Sequence, residues 1–141
     1  MHLIANVTCV SINGLGLLIE GPPGSGKSTL ALQLIDRGAV LVGDDGIRVE
    51  PREGRLIAHP PPRIGGKIEI RGVGIATLPV TAAPLSLALV LGDAAERLPA
   101  VGTREIAGVP LPTLLFAQGG EALRAEWALR LHGLPLPDEF A

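Results

Sequence analysis

Gly21-Pro22-Pro23-Gly24-Ser25-Gly26-Lys27-Ser28 fits the pattern G-x-x-x-x-G-K-[ST], the Walker A phosphate-binding loop. Its flanks suit the motif. Leu15-Gly16-Leu17-Leu18-Ile19-Glu20 is a short apolar run with strand character, and residues 28–37 carry apolar side chains at helical spacing. Strand, glycine-rich loop and helix together predict a nucleoside triphosphate site. The glycines let successive N–H groups turn inward, and the helix start adds partial positive charge where phosphate oxygens sit. The candidate nucleotide-binding set is Gly21, Pro22, Pro23, Gly24, Ser25, Gly26, Lys27, Ser28 and Thr29. In such loops the lysine reaches the β- and γ-phosphates and the hydroxyl residue ligates Mg²⁺, here Lys27 and Ser28.

Composition narrows the rest. At 141 residues the chain is expected to be a single domain, residues 1–141, with an adequate core. Gly 19 and Pro 13 alongside 47% hydrophobic residues imply many tight turns between short buried elements, not disorder. With 2% aromatics, the core must be aliphatic and base stacking on aromatic platforms is not expected. A net charge of -2 without a basic run argues against nucleic acid as a partner. The single cysteine, Cys9, lies in an apolar strand-like run and reads as core packing in a reducing compartment. No segment has the length and apolarity of a membrane span, so a cytoplasmic protein is expected.

Residues 7–12 and 15–20 read as strands joined by Asn13-Gly14, a hairpin signal. In the helix after the loop, Leu30, Leu34 and Ile35 form the inward stripe, Gln33, Asp36 and Arg37 face water, and Gly38 ends it. Ala39-Val40-Leu41-Val42 then gives a compact βαβ unit. A second hairpin is expected from residues 47–50 and 55–58 around Pro51-Arg52-Glu53-Gly54, followed by an irregular Pro-rich loop over residues 59–66. Ile68-Glu69-Ile70-Arg71 alternates as a strand, residues 85–91 form a buried one, and two short strands are expected around Glu105 and Leu111. Residues 120–132 read as a helix with Leu123, Trp127 and Leu131 on the inner face. The fold class is therefore α/β: a P-loop mixed sheet with a P-loop helix and a C-terminal helix.

Asp44-Asp45 end the strand directly after the P-loop helix, whereas most P-loop proteins carry their acidic residue on a later strand. Ligands of such sheets bind beyond the carboxyl ends of parallel strands, which places both carboxylates beside the loop. Neighbouring strand residues point to opposite sides, so spacing does not say which Asp faces the nucleotide. A carboxylate withdrawn from water beside a second one is the better proton acceptor, which gives the pair a purpose.

Three blocks together resemble the catalytic, C-terminal domain of HPr kinase/phosphorylase, which phosphorylates a serine of the phosphocarrier protein HPr. They are residues 21–38, the run Leu41-Val42-Gly43-Asp44-Asp45, and Ile68-Glu69-Ile70-Arg71-Gly72-Val73-Gly74-Ile75, close to the family's signature. The likeness covers residues 6 to about 99, and the chain resembles the short alphaproteobacterial-type form lacking the N-terminal domain. The resemblance implies the HPr kinase/PEP carboxykinase-like core, ATP and Mg²⁺ as cofactors, an HPr-like protein as partner, and a homo-oligomer, specifically a hexamer. It makes Lys27 the holder of the γ-phosphate, Ser28 and Glu69 metal ligands, Asp45 the proton acceptor with Asp44 supporting it, and Arg97 the residue that offsets charge on the transferred group. A mean hydropathy of +0.41 fits subunit association, with Leu111, Leu114, Leu115 and Phe116 as the covering residues.

Three positions depart from the family. Asn6 stands where the family has a His before the hairpin, with His2 near an N-terminus expected to fray. Thr29 replaces an acidic residue. The basic loop of the phosphorylase reaction has no counterpart in residues 113–120. Two rival readings remain: a P-loop kinase of a small metabolite, whose lid arginines would be Arg52, Arg55 and Arg63, and a nucleotide-binding regulator without catalysis. The histidines show no metal spacing to one another or to Cys9, so a zinc site is not expected.

Overall fold

The computed structural model describes residues 1–62, 66–92, 101–117 and 122–140. In chain order its elements are β1 (His2–Ala5), β2 (Thr8–Ile12), β3 (Leu15–Glu20), α1 (Lys27–Asp36), β4 (Val40–Gly43), β5 (Gly46–Arg52), β6 (Arg55–His59), β7 (Lys67–Ile70), β8 (Gly74–Thr77), β9 (Ala83–Gly92), β10 (Gly102–Ile106), β11 (Val109–Ala117) and α2 (Ala122–His132). A short 3-10 turn follows at Asp138–Phe140.

Local chemistry sets the β2–β3 and β5–β6 hairpins. Asn13 and Gly14 adopt φ of 51° and 87°, and Glu53 and Gly54 adopt 50° and 77°. Two successive left-handed residues match the twist of antiparallel strands, so each pair makes a two-residue turn. The second hairpin is longer than expected, because Pro51 and Arg52 belong to β5. α1 ends as its sequence implies: the N–H of Gly38 donates to Ile35 O and that of Ala39 to Leu34 O, both at 3.0 Å. This is a Schellman motif built on Gly38 in the left-handed region, φ 109°.

The main sheet runs β1-β5-β6-β9-β3-β2-β4 and forks at β9. β9 pairs parallel with β3 along one edge. Along the other it pairs antiparallel with β6 near its start and parallel with β11 further on. Alternation, interrupted between Leu85 and Leu87 where the register against β3 shifts, then sorts the core. Leu17 and Ile19 of β3 and Leu87 and Leu89 of β9 pack under the helices with Leu30 and Leu34, while Leu18, Leu85 and Ala88 join Ile47 and Leu56 on the opposite face. Each such leucine or isoleucine contributes about 1.5–3 kcal/mol by leaving water.

Several expectations need correction. β4 does not pair with β3, because β2 lies between them, antiparallel to both. The unit β3-α1-β4 is thus split by β2, the strand that precedes it in the chain. β1, exposed along most of its length and so invisible to hydrophobic patterning, ties the N-terminus to β5, and His2 pairs with Val49 instead of fraying. The buried side of α2 is Ala122, Ala125, Ala128 and Leu129, whereas Leu123, Trp127 and Leu131 are about half exposed or more. Small residues let α2 lie close against β9 and α1, where an indole would not fit. Leu111, Leu114 and Phe116 are buried within the chain's own core and are not free to cover a neighbour; only Leu115 of that set is exposed.

Candidate functional site

The phosphate loop hangs between the end of β3 and the start of α1. Gly26 caps the helix with φ 96°, a conformation that costs glycine least, and no side chain caps the first turn. No acidic residue sits in that turn, so no side-chain negative charge there competes with an anion for its N–H groups and positive end. Lys27 Nζ donates to the carbonyl oxygen of Gly21 at 2.6 Å, folding the side chain across the loop's own mouth. Ser25 is buried, with its hydroxyl unpartnered among the described residues and close enough to Gly21 that a Cβ there would meet it at 2.6 Å.

The acidic turn arrives from β4. At Gly43 an added Cβ would lie 2.4 Å from the carbonyl oxygen of Gly46, so only glycine lets the chain reverse this tightly. Asp45 takes φ 63°, tolerable for an Asp in a turn, and its carbonyl accepts the N–H of Asn6 at 3.1 Å. Because both aspartates lie in a turn and not in a strand, the opposite-sides rule does not apply, and both line one cleft. They differ in setting. Asp44 is half-buried, and its Oδ1 accepts from Ser28 Oγ at 2.8 Å and from Thr8 Oγ1 at 2.9 Å. Asp45 is exposed, contrary to the expected withdrawal from water.

The β7–β8 hairpin forms the facing wall. Alternation places Lys67 and Glu69 on one side, and these with Arg71 and Ile75 line a cleft of about 720 Å³ that also holds Gly24, Lys27, Ser28 and Thr29. The structure thus brings together Lys27, Ser28, Thr29, Asp44, Asp45 and Glu69. Arg97 lies outside the described residues. Thr8, Leu32 and Lys67 are the lining residues that sequence reasoning passed over. For Lys67 the two-residue spacing from Glu69 is a usable signal, but nothing local marks Thr8.

The donor set suits a hard cation: a hydroxyl and several carboxylate oxygens, with no sulfur or imidazole. Among the described residues no three His, Cys, Asp or Glu side chains converge closely enough to hold a metal alone. A cation that also binds nucleotide phosphates, as Mg²⁺ does, needs no such cluster, since it keeps few protein ligands and shares phosphate oxygens. Two of the three rival lid arginines are engaged elsewhere. Arg52 pairs with Glu50 at 3.0 Å, and Arg55 donates to the carbonyls of Pro135 and Leu85 at 2.7 and 3.2 Å. His59, at 2.9 Å, and Arg52 together hold the Glu50 carboxyl below its ordinary range, the histidine hydrogen bond being the larger cause. Arg63 lies outside the described residues.

A mixed sheet whose strand β3 feeds a Walker loop and α1, with an acidic turn at the end of β4 one strand beyond β2, defines the P-loop kinase fold class. Residues 3–81 match the family described as HPr Serine kinase C-terminal domain, and the chain belongs to that family. It is 46% identical over 70 residues to the HPr kinase/phosphorylase of Clostridium tetani, covering 50% of this chain and 23% of that protein. With the HPr kinase/phosphorylase of Shouchella clausii it shares 46% identity over 67 residues, 47% of this chain and 22% of that one. The chain therefore spans less than a quarter of the length of these curated relatives. The solved structure of the Hpr(Ser) kinase/phosphatase from Coxiella burnetii superposes with a TM-score of 0.83 at 30% identity, over 94% of this chain and 96% of that one.

Proposed function

We propose that this chain is an ATP- and Mg²⁺-dependent protein serine kinase that phosphorylates an HPr-like phosphocarrier protein of a phosphotransferase system in the cytoplasm. The observation that carries this reading is the Ser28–Asp44 hydrogen bond at 2.8 Å, which joins the Walker loop to the acidic turn in one cleft. Family membership and the names borne by the relatives support the substrate. The fully buried, free Cys9 fits a reducing compartment.

In this reading the N–H groups of the loop and of the first turn of α1 hold the β- and γ-phosphates. Lys27 exchanges the Gly21 carbonyl for the γ-phosphate, neutralising charge as the bond to the leaving ADP lengthens. Ser28 and Glu69 are the residues that would hold Mg²⁺, which when bound neutralises the phosphate oxygens. Asp45, exposed at the cleft, meets the incoming serine and accepts its proton as the serine oxygen bonds to the γ-phosphorus and the bond from phosphorus to the β-bridging oxygen breaks. Asp44, tied to Ser28, supports the loop. Arg97 would offset charge on the transferred group. Positioning of this kind supplies most of the acceleration in phosphoryl transfer.

The experiment is transfer from labelled ATP with Mg²⁺ to the organism's own HPr, mapped by mass spectrometry. One phosphate on one serine is expected. Binding of ATP without transfer to HPr would make the chain a regulator, and transfer to small alcohols instead would make it a metabolite kinase. The second outcome is disfavoured by the engaged Arg52 and Arg55. We further propose a single domain that assembles as a homo-oligomer, a hexamer by family resemblance. The exposed Leu123, Trp127 and Leu131 of α2 are the surface that supports association.

A further inference from the structure

Thr8 is 1% exposed and sits at the start of β2 between the apolar Val7 and Cys9. A valine has the same shape, favours strands equally and carries no hydroxyl to desolvate. The hydroxyl that is present donates to Asp44 Oδ1 at 2.9 Å.

Topology explains why this residue reaches that carboxylate. β2 runs antiparallel between β3 and β4, with Thr8 opposite Ile19 and Cys9 opposite Gly43. Its first residue therefore lies between the strand end that launches the phosphate loop and the strand end that launches the acidic turn. Asp44 itself stands in a two-residue connection with no ladder to hold it. Donors from β2 and from α1 converge on one oxygen, Oδ1, and fix the plane of the carboxylate.

The orientation matters to Ser28. A hydroxyl has one proton and two lone pairs. While its proton is given to Asp44 Oδ1, its lone pairs are left for a cation; if Asp44 swings away, the proton is free to turn towards the cation and repel it. We propose that Thr8 is a positioning residue which, by holding Asp44, keeps the Ser28 hydroxyl competent to ligate a divalent cation shared with the nucleotide phosphates. The inference rests on the nucleotide-and-metal reading of the cleft given above.

The test measures Mn²⁺ affinity of the full chain by electron paramagnetic resonance in the presence of a non-hydrolysable ATP analogue, beside analogue affinity in EDTA. For Thr8→Val we expect Mn²⁺ binding about tenfold weaker, the loss typical of residues that orient metal ligands. Metal-free analogue affinity should stay within about twofold and the melting temperature should be unchanged or higher. Thr8→Ser, which keeps the hydroxyl, should restore Mn²⁺ binding. In an Asp44→Ala background, which leaves no carboxylate for Thr8 to hold, the further change Thr8→Val should add nothing, because the two act through one contact. Should Thr8→Val not fold, Thr8→Ala carries the same expectation. Unchanged Mn²⁺ affinity in a folded variant, or equal loss in Thr8→Ser and Thr8→Val, overturns the proposal and leaves Thr8 as core packing, with the kinase reading intact. Failure of the unsubstituted chain to bind the analogue at all overturns both.

Discussion

The Lys27 ammonium donates to the carbonyl oxygen of Gly21 at 2.6 Å, so the first residue of the phosphate loop is latched by its seventh. The lysine is thereby held at the mouth of the cleft, one exchange of partner away from a phosphate oxygen. Replacing it should remove cation and latch together. Lys27→Ala is expected to lower phosphoryl transfer by ~10²-fold or more and to weaken ATP binding in calorimetry. Turnover at the original rate would remove the loop from the mechanism.

The two aspartates should separate by assay. Asp45→Asn keeps shape but not basicity, so nucleotide and metal should still bind while transfer falls by ~10²-fold or more. Asp44→Asn weakens the acceptor of Ser28 and should show first as a higher Mg²⁺ requirement. If Asp44→Asn abolishes transfer at saturating Mg²⁺ and Asp45→Asn does not, the assignment of the proton acceptor is reversed.

Reverse chemistry should be feeble. Residues 113–117 belong to β11 and carry no basic side chain, where the family resemblance calls for a basic loop. Serine-phosphorylated HPr incubated with the protein and inorganic phosphate should yield little pyrophosphate. Brisk release would assign the reaction to another segment.

Association should depend on the outer face of α2. Trp127 is 48% exposed and lies under the Arg130 guanidinium at 4.5 Å. Trp127→Glu should keep the chain folded, lower the mass found by light scattering, and lower the melting temperature by what association contributes. A monomer near 14.5 kDa for the unsubstituted chain would contradict the assembly.

Cys9 should be chemically silent in the folded protein. Burial pushes its thiol far above the ordinary cysteine range, and only the thiolate is a nucleophile. A thiol reagent at neutral pH should label it only in denaturant, at the rate of unfolding. Fast labelling of native protein would show that β2 opens locally.

Much of the site was legible because its chemistry is local. The Walker loop, the Asn13-Gly14 turn, the Gly38 helix end and the strand carrying Glu69 each depend on residues within a few positions of one another. Backbone conformation and side-chain alternation report such features directly. The inner face of α2 was not legible, since its sequence holds two stripes at helical spacing. Hydrophobicity favours the one with Leu123 and Trp127, and packing distance selects the one with Ala125 and Ala128.

The amino-acid sequence by itself determined the phosphate loop, the acidic turn and the signature strand, because each is a short-range match between residue type and backbone geometry. Only the tertiary structure decided that β2 inserts between β3 and β4, that both aspartates face one cleft, and that Thr8 reaches Asp44 across thirty-six positions. Strand order is set by which apolar faces bury best together over the whole chain. A hydrogen bond between residues so far apart exists only once that order has formed.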